Sequence, residues 1–81
     1  MFFNEAVSKR IYELCNKENI TINRLAELSL IPPSTLRGIT SCQVLNTSSY
    51  VIYQICKTLN ITLKDFFDSE LFKQNNLKDY Y

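Results

Sequence analysis

Pro33-Ser34-Thr35-Leu36-Arg37-Gly38 is the stretch whose residue types suit a defined chemistry. Arg37 carries a planar fork of donors that can give two parallel hydrogen bonds to one guanine edge. The Ser34 and Thr35 hydroxyls donate or accept, and so discriminate weakly between bases. Pro33 presents an apolar edge of the kind that meets a thymine methyl. Gly38 is expected in a helix interior, where glycine costs about 1 kcal/mol relative to alanine. A close approach from outside is the reason expected for it. Around this stretch stand further donors suited to phosphate. Thr21, Asn23 and Arg24 open the preceding helix, and Gln43 and Asn46 follow in a loop. Helix starts bind anions through their free N–H groups.

Other chemistries find little support. The 81 residues include no His, so the commonest general base and metal ligand is missing. Cys15, Cys42 and Cys56 form no C-x-x-C pair. Cys56 reads as a core residue and Cys42 as a loop residue. No phosphate-cradling Gly-rich loop and no carboxylate pair in an apolar setting appears. An enzyme, a metal site and a cofactor are therefore not expected, and no small-molecule ligand is evident.

The positioning elements follow from periodicity. Thr21 is a good N-cap, and Ile22, Leu25 and Ala26 fall on one helical face. Pro32-Pro33 stops that helix, and Pro33 suits the first position of the next. Leu36 and Ile39 then give the second helix an apolar face. Two short helices of unequal polarity joined by a tight turn have the form that sets an exposed helix in a DNA groove.

LAELSLIPPSTLRGI resembles the helix-turn-helix of the Cro/repressor-type (XRE) regulators, whose pattern runs roughly LAxxSGVSxSTLxxI. Leu25-Ala26, Ser29, Ile31, Ser34-Thr35-Leu36 and Ile39 match it. ICKTLNITLKDFF, from Ile55 to Phe67, is similar to that family's fourth helix and the start of its fifth. The resemblance implies an all-α fold, a compact five-helix lambda-repressor-like DNA-binding domain. It implies a sequence-specific regulator of transcription, a repressor, that binds double-stranded DNA as a homodimer with the helix Pro33–Thr40 in the major groove.

Four departures from the family pattern bear on function. Ile22 stands where a backbone-binding Gln is frequent. Leu30 stands at a turn position where Gly normally takes positive φ. Cys15 and Thr40 replace an Arg–Glu pair, both partners together. The loop from Ser41 to Thr47, SCQVLNT, lacks the usual lysines. With nine Lys/Arg against eight Asp/Glu, the chain is also less basic than most nucleic-acid binders. These departures favour the alternative, a protein-interaction module of antitoxin or antirepressor type that keeps the fold and binds DNA weakly or not at all.

The remaining chain reads as one domain over 1–81, with its core in about 4–72 and a tail at 73–81. Asn4 is expected to cap a first helix running to Asn19, with Val7, Ile11 and Leu14 facing inward and Glu13 paired with Lys17. Lys9 or Arg10 is a candidate for a phosphate. Ile20 is placed as a hydrophobic staple. Thr47 or Ser48 caps a fourth helix whose Ile52, Ile55 and Leu59 are core, and whose Tyr50 is a further phosphate candidate. Asn60 suits a left-handed cap, and Thr62 caps a fifth helix where Leu63, Phe66 and Phe67 close the core. Val44 and Leu45 are expected to tuck under the loop or meet a partner. The tail after Lys73 is expected to fray, and Phe67 to Tyr81 is the expected dimer contact. No apolar run approaches a membrane span, and a cytoplasmic location is expected.

Overall fold

Local caps set the helix boundaries in the computed structural model, which describes residues 1–79. Thr21 Oγ1 accepts from the Arg24 N–H at 3.0 Å. Ser48 Oγ accepts from Tyr50 N–H at 3.1 Å. Thr62 and Asp65 cap each other's backbone N–H groups at 3.0 and 3.1 Å. The resulting α-helices are α1 (Phe3–Glu18), α2 (Ile22–Ser29), α3 (Pro33–Thr40), α4 (Ser49–Leu59) and α5 (Leu63–Phe67). Two short 3₁₀ turns follow, Glu70–Phe72 and Gln74–Asn76. The fold is all-helical, as the periodicity implies.

The first four helices end alike. Asn19, Leu30, Cys42 and Asn60 take φ of 56°, 57°, 63° and 57°. In each case the next residue donates its N–H five positions back, as in Ile31 to the Ala26 carbonyl at 3.0 Å. This is the Schellman closure, which satisfies carbonyls the helix leaves unpaired. After three of these turns the chain returns to the core with Ile20, Ile31 and Ile61. Asn tolerates the left-handed conformation; Leu30 and Cys42 bear its steric cost.

One core joins all five helices. Val7, Ile11, Leu14, Leu25, Ala26, Leu36, Ile39, Ile52, Ile55 and Phe66 are buried, with Cys15, Ile31 and Cys56 among them. Leu59 is half-buried at its edge. Burial raises the pKa of both the Cys15 and Cys56 thiols. Among the described residues no buried side-chain donor or acceptor lacks a partner.

Several local expectations are corrected. Asn4 does not cap α1. Phe2 takes the cap position two residues earlier, with Glu5 accepting from the Phe2 N–H at 2.8 Å. Asn4 is buried instead and reaches the carbonyls of Cys42 and Val44 at 3.5 and 3.4 Å. Glu13 pairs with Arg10 at 3.5 Å and not with Lys17. Leu63 and Phe67 remain 44% and 37% exposed, so Phe66 alone of the three closes the core. Phe72 completes that end, its ring 4.9 Å from Phe67 and 6.0 Å from Phe3.

The tail is tied down rather than frayed as far as it is described. Lys78 N–H donates to the Met1 carbonyl at 2.7 Å, and Phe2 and Lys78 form an isolated parallel bridge. The Met1 amino group donates to the Asn76 carbonyl at 2.8 Å. Tyr80 and Tyr81, part of the expected dimer contact, lie outside the described residues.

Candidate nucleic-acid interface

The α2–α3 turn fixes which side of α3 faces out. Leu25 and Ala26 of α2 pack inward with Ile31 of the turn and Leu36 and Ile39 of α3. Pro33, Ser34, Thr35 and Arg37 are left exposed, and Gly38 half-buried. A second anchor holds the far end of α3. Ser8 of α1 donates its hydroxyl to the Thr40 carbonyl at 2.6 Å. Thr40 in turn donates to the Leu36 carbonyl at 3.1 Å. Thr40 therefore serves as a neutral tie between α1 and α3, where the resemblance would set a charged pair. Removing both charges avoids stranding one in the core.

Two recesses flank the exposed face of α3, and both include Ser34 and Gly38. One, of about 550 Å³, brings together Arg37, Gln43, Ser41 and Tyr12 of α1. The Arg37 guanidinium has no hydrogen-bond or ion-pair partner among the described residues, so its donors are available. The other, of about 330 Å³, lies between α3, the following loop and the start of α4. It includes Thr35, Val44, Asn46 and Ser48. The structure thus gathers Ser34, Thr35, Arg37, Gly38, Gln43 and Asn46 around one helix. The chain belongs to the Cro/C1-type helix-turn-helix DNA-binding domain family. That family's model matches residues 10–70. No curated protein and no solved structure matches the chain.

In this Cro/C1-type domain the start of α2 supplies the other sequence-selected residues. Thr21, Asn23 and Arg24 are exposed, and Pro33 opens α3. None of these four borders the two recesses beside α3. Thr21 uses its hydroxyl to cap α2. Arg24 is held by Glu27 at 2.8 Å, with both side chains more than half exposed. An ion pair this open is worth little and exchanges readily for another anion. Arg10, a phosphate candidate from the sequence, is engaged within the protomer. Its Nε donates to the Phe66 carbonyl at 2.7 Å and its Nη2 to the Asp65 carbonyl at 2.8 Å. Val44 and Leu45 do not tuck under the loop; they stay 40% and 56% exposed.

Tyr12 and Val51 were not selected from the sequence. Tyr12 lies one turn after Ser8, four residues on, and so follows it along the α1 side that meets α3. That spacing was the available signal. Val51, next to core residue Ile52 on α4, borders the smaller recess. No helix among the described residues is long and apolar enough to cross a membrane.

Proposed function

We propose that this domain is a sequence-specific transcriptional repressor that inserts α3 into the major groove of duplex DNA. The observation that carries this reading is the exposed edge of α3. Its Arg37 is unpaired among the described residues, while its apolar edge is fully used in the core. An amphipathic helix whose polar edge has no internal task is suited to an external one. Arg37 reads a guanine through two hydrogen bonds. Ser34 and Thr35 contact bases or phosphates, and Pro33 lies at the groove edge. Phosphates are held by Arg24, once it exchanges Glu27 for DNA, and by neutral donors: the start of α2 at Thr21 and Asn23, Gln43, Asn46 and the start of α4.

The reading includes a cytoplasmic homodimer, with residues 1–81 acting as one domain. A single recognition helix spans only a few base pairs, and two-fold sites supply the rest. Phe72 is engaged inside the protomer, which shifts the contact toward other exposed apolar residues, Leu45 among them.

Selection of duplexes from a randomised pool, followed by fluorescence polarisation, tests the reading. Enrichment of one motif, bound more weakly and relaxed at one base position on Arg37→Ala, supports it. Absence of any enrichment at low salt favours a protein-interaction module. A specific observation stands behind that second reading: Leu28, Leu30, Tyr50 and Tyr53 are all exposed around one recess between α2 and α4.

A further inference from the structure

The two recesses beside α3 share Ser34 and Gly38 yet differ in chemistry. The larger holds the Arg37 guanidinium and the Gln43 amide, groups suited to guanine or phosphate. The smaller has no charged residue in its lining, and Ile39, Val44 and Val51 form an apolar wall. We propose that this smaller recess receives the C5-methyl of a thymine, so that Val44, Val51 and Gly38 select an A·T pair at a position distinct from the one Arg37 reads. The inference rests on the DNA-reading function proposed above and adds the base it selects.

Three features argue for a thymine methyl over a phosphate. A phosphate is drawn to cations, and this recess offers none. The thymine methyl is the apolar feature of the major-groove edge, and the O4 acceptor beside it needs a donor. Ser34 and Thr35 supply hydroxyl donors at the same recess. Gly38 adds an independent sign. A Cβ built there meets nothing within 4 Å, so the fold does not require glycine. Alanine would favour the helix, and the open space serves a group that arrives from outside.

The test uses duplexes selected by the intact protein, with each thymine replaced in turn by deoxyuridine. This removes one methyl and leaves every hydrogen-bonding group. At one thymine per half-site the affinity should fall about fourfold, the worth of one buried methyl. Val44→Ser, or Val51→Thr as a second variant close in shape, should erase that fall. Arg37→Ala should keep it. If selected duplexes bind equally with uracil at every position, the inference is overturned while DNA reading stands. A fall that persists in both valine variants also overturns it. If no duplex is selected at all, the inference and the DNA-reading function fall together.

Discussion

Arg10 of α1 holds the Phe66 carbonyl of α5 at 2.7 Å, across 56 positions of sequence. The same guanidinium takes the Asp65 carbonyl at 2.8 Å. These carbonyls lie at the end of a five-residue helix that has few internal bonds of its own. A cation there also meets the negative end of the helix dipole. Phe66, whose side chain is fully buried, is thereby fixed against the core.

Arg10→Ala should therefore destabilise the fold by about 2 kcal/mol, since hydrogen bonds from a charged donor are worth more than neutral ones. In a domain of this size that lowers the melting temperature by roughly 10 °C. Arg10→Lys should recover less than half, because one ammonium does not reproduce the two-pronged donor. DNA affinity measured well below the melting temperature should be unchanged. A loss of affinity without a loss of stability would return Arg10 to the phosphate contacts.

Leu30→Gly should raise stability by about 0.5–1 kcal/mol. Leu30 sits at φ 57° and is 85% exposed, so its side chain gives little packing in return for the strain. Glycine removes the clash and loses some of the gain to greater freedom in the unfolded chain. Thermal melts of both proteins decide it. A fall of several degrees would mean that the exposed Leu30 packs more than its exposure implies.

Gly38→Ala should move stability and binding in opposite directions. Nothing opposes the new methyl, and helix propensity favours it by up to about 1 kcal/mol. The same methyl stands between the two recesses and should weaken operator binding. Melting curves and polarisation titrations on one preparation check both halves. Tighter binding would remove Gly38 from the interface.

The salt dependence of binding should be shallow. With Arg10 engaged by α5, Arg24 and Arg37 remain, with exposed Lys9 as a third candidate, and counterion release from two or three contacts per protomer gives a dimer slope of about −4 to −5. Arg37→Ala should cost about 1–3 kcal/mol at the selected site and relax one base position. Glu27→Gln frees Arg24 and should tighten binding to all sequences alike. Gln43→Lys should do the same and steepen the slope by about one per protomer. Titrations at several salt concentrations measure each. A slope beyond about −8 would mean that other cations carry the contact.

Stability should fall in acid partly through Asp65. Hydrogen bonds from the Thr62 backbone and side chain hold its carboxyl below the ordinary value of 3.8. A depressed folded pKa adds stability that is fully present above the unfolded value. That stability is lost as pH falls from the ordinary carboxylate range through the lower folded value. Asp65→Asn should therefore melt lower than the natural protein at pH 7, with the gap closing toward pH values well below 3.8. A gap that is constant with pH would leave the carboxylate charge without a part in capping α5.

The sequence by itself determined the helices, most of their caps and most of the core. Thr21, Ser48 and Thr62 cap as their residue types imply, and Asn60 closes α4 in the left-handed conformation. Leu30 takes positive φ at the turn, as the family pattern implies. These outcomes rest on hydrogen bonds and spacings within about five residues, so neighbouring residue types suffice to specify them. Tertiary structure decided the partners of the longer side chains. Arg10 looks like a surface cation in its own helix, and the end of α5 recruits it. Asn4 looks like a cap, and the carbonyls of Cys42 and Val44 draw it inward. Tyr12 stays exposed and joins the larger recess only because α3 is set beside it, and Val51 joins the smaller one because the loop after α3 lies across from it. Each depends on which groups two distant segments bring within about 3–4 Å, a distance that helical periodicity does not encode.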